Sequence, residues 1–233
     1  MMQARALPAS VTPVAALGVE SRSAFIWRTY GHLAGAILAF GAIQTYLFDN
    51  GYAERIAQAL LGVNWLLVLG AFMIVGWLAS HTAHRVESKP LQYLALAGFV
   101  IAEAIIFVPL LYLATTLEPA IIESAVGVTL LGVAGLTAVA FITRKDFSFL
   151  RGILVWGGIL ALVAIASSVL FGFHMGTWFS VAMIGFAGAA VLYDTSNVLH
   201  HYPEDRHVAA ALELFGSIAL MFWYVLQLFM SRD

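Results

Sequence analysis

The chain has 233 residues, of which 62% are hydrophobic and only 10% charged, with a mean hydropathy of +0.92. Soluble domains carry about 25% charged residues, so a water-soluble fold is excluded and the apolar surface must face lipid. A net charge of −2 offers no basic nucleic-acid surface, and the absence of cysteine rules out disulfides, thiolate metal sites and dithiol redox chemistry.

The chain opens with an apolar stretch from Val11 to Val19, preceded by Arg5 and interrupted by Pro13. It is short for a signal peptide, and Glu20-Ser21-Arg22 follows without a small-residue cleavage site. Residues 1–24 are therefore expected to form a short, mobile cytoplasmic tail, followed by a transmembrane domain over 25–233. A spanning helix needs roughly 20 mostly apolar residues to cross about 30 Å of hydrocarbon. Seven segments qualify, near residues 26–48, 58–80, 91–114, 121–143, 150–171, 176–198 and 208–230. Their apolar runs are continuous rather than alternating, which favours helices over a closed barrel. The expected fold is all-α, a polytopic seven-helix bundle.

In the first span Arg28 and His32 share a face, and Gly31 and Gly35 have the small-xxx-small spacing of close helix packing. His81 and His84 follow the second span. The third holds Glu103 between Ala102 and Ala104, where an acid either serves an ion pathway or, protonated, bonds another helix. The sixth ends in a polar cluster, Tyr193-Asp-Thr-Ser-Asn197. An ionised group at mid-membrane costs at least about 2.5–3.5 kcal/mol. Asp194 is thus either a proton or cation site inside the bundle or an interfacial carboxylate bonded to its neighbours.

His200, His201 and His207 lie between the last two spans. Imidazoles there can sense cytosolic pH, but adjacent His200 and His201 diverge on a helix and make a poor metal site. Glu213 and Ser217 are one turn apart in the seventh span. If that face meets Asp194, the two acids rarely ionise together and can share a proton as a pH-dependent latch; otherwise Glu213 is a solvated acid in the first turn of its helix.

Lys and Arg accumulate on the cytoplasmic side of short loops. With the N-terminus inside, Arg5, Arg22, Arg28, Arg85, Lys89, Arg144, Lys145, Arg151 and Arg206 fall inside, leaving only Arg55 and Arg232 outside. The expected orientation is N-terminus cytoplasmic and C-terminus opposite. No Walker loop, HExxH, GxSxG or paired deep aspartates support an enzyme.

The junction Thr143-Arg-Lys-Asp-Phe-Ser-Phe-Leu150, the sequence Leu192-Tyr-Asp-Thr-Ser-Asn197, Pro109 in the third span and the terminal Ser231-Arg-Asp233 together resemble the bacterial inner-membrane branch of the Bax inhibitor family. The resemblance covers the chain beyond its N-terminal tail. It implies a bundle with the last helix central, and a pH-sensitive calcium leak closed by paired aspartates in spans six and seven and a basic group on span two. Asp194 matches the span-six aspartate. Ser217 falls where the span-seven aspartate is expected and His81 near the span-two arginine, so this chain departs from the pattern. Either Glu213 replaces the missing acid one turn away, or Asp194 works with hydroxyl and imidazole partners, or calcium leak is weak in this chain.

These readings give a passive, pH-modulated cation leak with Asp194 as gate acid and transient cation contact, Asn197 in support, and His81 or His201 as modulators. Ca²⁺ is the expected permeant ion, although it prefers six to eight oxygen ligands, and no tightly bound cofactor is expected. The resemblance also implies a second role, as a modulator of an FtsH-type membrane quality-control protease. A proton-coupled transporter using Glu103 and Asp194 is a third reading. The expected partners are the lipid bilayer and a membrane protease complex, with no nucleic acid.

Overall fold

The computed structural model describes residues 12–118, 120–173 and 175–231. Among these, eight α-helices and two 3-10 turns form the chain, with no strand: α1 (Val19–Asp49), α2 (Tyr52–Leu61), α3 (Trp65–Arg85), α4 (Lys89–Leu117), α5 (Ala120–Thr143), α6 (Leu150–Phe171), α7 (Gly176–His200) and α8 (His207–Met230). All except α2 are long and apolar enough to cross a bilayer, so the protein is an all-α polytopic membrane protein.

Helix α8 occupies the centre. It packs against α1, α3, α4, α5 and α7, and 72% of its most apolar window is buried, against 6% for α6. Lipid tails are as apolar as leucine, so hydropathy does not draw a helix inward; close backbone approach and polar contacts do. Ala209, Ala210 and Ala211 are fully buried, and a Cβ on Gly216 would sit 3.4 Å from the Phe99 ring of α4. Phe99 in turn meets Phe215 edge-on at 6.1 Å and stacks on Phe72 of α3 at 6.1 Å.

Three sequence expectations need correction. The second span begins at Trp65, not near residue 58, because the segment before it forms α2. Gly51 turns into α2 at φ +70°, Ala53 and Ala57 are buried against the bundle, and Asn64 caps α3 by accepting the Leu66 amide at 2.9 Å. Glu54, Arg55 and Gln58 are exposed on the other side of α2, as suits an amphipathic helix lying in the membrane interface.

The N-terminal segment, expected as a tail to residue 24, is already docked in its described part. Val14 is fully buried and its N–H donates to the Tyr202 carbonyl at 2.9 Å, Pro13 bridges Pro203, and α1 starts at Val19. Residues 1–11, with Arg5, and residues 232–233 lie outside the described residues. Gly31 and Gly35 do not seat a neighbouring helix. Both are exposed, and a Cβ on either would meet nothing within 4 Å.

Candidate functional site

The C-terminal end of α7, the first half of α8 and the end of α3 converge on a polar cluster. Asp194 is buried, and its Oδ2 accepts the Ser217 hydroxyl at 2.5 Å. One turn back on the same face of α8, Glu213 Oε1 accepts the Ser80 hydroxyl of α3 at 2.5 Å. Asp194 feels the charge of Glu213. Asp194 and Glu213 thus tie α7, α8 and α3 together through two serines, and Glu213 stands beyond the first turn of α8 with a protein donor.

His84 completes the cluster. Its Nδ1 lies 2.9 Å from the Ser80 carbonyl and 3.7 Å from Glu213 Oε1, and its Nε2 lies 3.3 Å from the Tyr202 hydroxyl. A carbonyl accepts only, so Nδ1 carries the proton, and in a neutral ring Nε2 accepts from Tyr202. Burial, followed by the charges of Glu213 and Asp194, holds the Tyr202 hydroxyl well above the ordinary tyrosine range. Tyr202 therefore stays a donor across physiological pH. Its ring stacks on Phe25 at 6.3 Å, and its carbonyl anchors Val14, so the N-terminal segment fixes the loop that carries it.

The imidazole at this cluster is His84, not His81. Successive helix residues turn by about 100°, so Ser80 and His84 share the inward face while His81 is exposed and stacks on Trp77 at 5.3 Å. His201 also lies outside the cluster: its Nε2 pairs with Asp146 Oδ2 at 3.0 Å on the surface. That contact pins the α5–α6 loop to the end of α7, whose Ser196 hydroxyl also accepts from the Phe147 amide of the loop at 2.9 Å. The Asp146 carboxyl is held below its usual range, first by the Ser148 amide and then by His201. Asn197 contributes through its backbone, its carbonyl accepting from His201 and Tyr202 at 2.8 and 3.2 Å.

A cavity of about 660 Å³ begins at Ser80, Glu213 and Ser217 and follows α8 to Gln227. That stretch covers about 21 Å at 1.5 Å per residue, a large part of the hydrocarbon thickness. Trp65 and Trp223, stacked at 5.9 Å, line its far end. Glu103 lies midway and is 6% exposed, with no hydrogen-bond partner among the described residues. Gln44, a buried polar group with no evident sequence motif, donates to the neighbouring Ala104 carbonyl at 2.7 Å. Among the described residues no three His, Asp or Glu side chains are grouped to hold a metal ion.

Ser80 and Tyr202 are the site residues that sequence reasoning missed, and His84 was singled out only as an imidazole at the end of the second span. The i, i+4 spacing of Ser80 and His84 was a usable signal, whereas Tyr202 reaches the cluster through a loop. The family model described as "Inhibitor of apoptosis-promoting Bax1" matches residues 22–233. Protein LIFEGUARD 4 of Arabidopsis thaliana is 29% identical over 233 residues, covering 96% of this chain and 91% of the relative. Protein PA2604 of Pseudomonas aeruginosa is 30% identical over 212 residues, covering 89% of each. The modulator of FtsH protease YccA of Escherichia coli is 30% identical over 118 residues, 48% of this chain and 52% of the relative.

Proposed function

Because the chain belongs to the Bax inhibitor family, we propose that it is a pH-modulated cation leak, with Ca²⁺ as permeant ion, gated where Asp194 meets Ser217. The observation that carries this reading is a buried carboxyl bonded across two helices to Ser217, which lines one end of a cavity that holds a second buried acid. Breaking the Asp194–Ser217 and Glu213–Ser80 bonds would let α7, α8 and α3 separate at the mouth, joining the cavity to the basic end of the bundle. Glu103 then attracts the cation midway. A permeation site can be sparser in oxygen ligands than a storage site, because tight coordination slows release.

The sign of the pH response follows from the two acids. Each proton released near Asp194 and Glu213 adds negative charge to a low-dielectric pair, so repulsion grows and the latch loosens. The leak rises with pH. In this reading the N-terminus and the basic end, with Arg85, Lys89 and Arg206, face the cytoplasm of a bacterial inner membrane. Purified protein in liposomes loaded with a Ca²⁺ indicator should pass Ca²⁺ faster than protein-free liposomes, and faster at pH 8 than at pH 6. Flux equal to that of the protein-free vesicles overturns the proposal.

A second reading, modulation of an FtsH-type protease, draws support from the name of the Escherichia coli relative. It uses the N-terminal segment rather than the buried acid. Deleting residues 2–20 should alter protease association or turnover of protease substrates, and no change in either counts against it. The same deletion removes Val14 from Tyr202, so flux should be measured in parallel.

A further inference from the structure

Away from the gate, α1 and α4 enclose a second cavity of about 500 Å³. Gly35 and Ala39 of α1 and Ala97 and Ile101 of α4 line its apolar length, with Arg28 and His32 at one end. Arg28, His32, Gly35 and Ala39 recur at helical spacing on one face of α1. The glycines open this groove: a side chain at Gly31 or Gly35 would enter unoccupied space.

Two basic side chains, Arg28 and Lys89, lie toward the polar end beside two imidazoles. Arg28 is exposed, and no ion pair among the described residues includes it. Lys89, at the start of α4, and His207, at the start of α8, both feel its charge. The His32 ring lies 5.4 Å from Tyr93 and 5.1 Å from His207. The acid facing this group is Asp205, whose carboxylate pairs with Arg206 at 3.4 Å and also acts on Lys89, while the Lys89 ammonium donates to the Asp205 carbonyl and to Gln92 Oε1; Arg28, Lys89 and Arg206 still outnumber this one acid. Positive charge is left uncompensated at the mouth of an apolar groove on the lipid side of the bundle.

We propose that this groove binds one anionic phospholipid, its phosphate between Arg28 and Lys89 and an acyl chain along Gly31, Gly35 and Ala39. Basic residues at the headgroup level attract anionic lipids, and the glycine-lined length supplies the contact area that a headgroup alone would not use. Free phosphate would occupy only the rim. A second copy of the chain, packed symmetrically through the same face, would bring Arg28 against Arg28.

The test is native mass spectrometry of the full-length protein in detergent, titrated with phosphatidylglycerol and with phosphatidylcholine of the same acyl chains. The wild type should retain one phosphatidylglycerol at concentrations where phosphatidylcholine is lost. Arg28→Gln, a change at an exposed side chain, should reduce retention of phosphatidylglycerol at least fivefold, to the level of phosphatidylcholine. Gly35→Leu and Ala97→Leu, filling the groove from opposite walls, should lower retention of both lipids. Unchanged melting temperatures identify the variants that remain folded. Equal retention of the two lipids, or no effect of Arg28→Gln, overturns the proposal. Displacement by soluble glycerol phosphate would identify a free-phosphate site, and loss of lipid in step with dimer formation would identify a second copy as the occupant; either outcome also overturns it.

Discussion

Asp194 and Glu103 are almost equally buried, at 8% and 6% exposure, yet their surroundings are opposite. Asp194 is bonded to Ser217, lies beside a second acid and sits where three helices meet. Glu103 projects into an open cavity with no protein donor among the described residues. Burial alone thus says nothing about role. The partners hold one acid between packed helices and leave the other facing the cavity.

The contrast is sharpened by removing each element in turn. Ser217→Ala deletes the hydroxyl and leaves Asp194 buried without its donor. Leaving a buried polar group unsatisfied costs about 1–3 kcal/mol, so the closed-to-open ratio should fall roughly five- to hundredfold, seen as a faster Ca²⁺ leak at pH 7. Glu103→Gln keeps the shape but removes the ionisable group. It should slow the leak roughly fivefold at pH 8, equivalent to about 1 kcal/mol, without raising it at pH 6. A leak above that of the wild type at pH 6 would merge the gate and pathway roles proposed for the two acids.

Smaller effects are expected farther from the latch. Tyr202→Phe removes the donor to His84, a neutral bond of 3.3 Å, and should raise the leak by about fivefold or less, in line with the ~1 kcal/mol of a typical hydrogen bond. Asp146→Asn should lower the melting temperature only slightly, since exposed ion pairs contribute about 0–1 kcal/mol. The Asp146 carboxyl is depressed, so its contribution is present above about pH 4 and lost as pH falls through its folded value. Between pH 6 and 8 Asp146 remains ionised, and this variant should leave the flux profile unchanged, which a fluorimetric pH series checks.

Much of the bundle was legible because continuous apolar runs have one solution in lipid. Asp194 stood out as a charge in such a run, and Glu213 and Ser217 were tied to it by their one-turn spacing. What failed was rotational and tertiary. His81 and His84 differ by three residues, enough to place one ring on lipid-facing Trp77 and the other on Tyr202. Helix α2 was hidden by reading Gln58–Leu61 as part of a span, although Gly62 and Asn64 marked a break. The central place of α8 was implied by family resemblance and not by hydropathy, because α6 is just as apolar and lies outside.

The decisive measurement is Ca²⁺ flux through purified protein in liposomes from pH 6 to 8, comparing the wild type with Asp194→Asn. The wild-type leak should rise with pH, and the variant, which cannot gain or lose a proton at that position, should give a much flatter profile. Superimposable profiles would contradict a gate at Asp194.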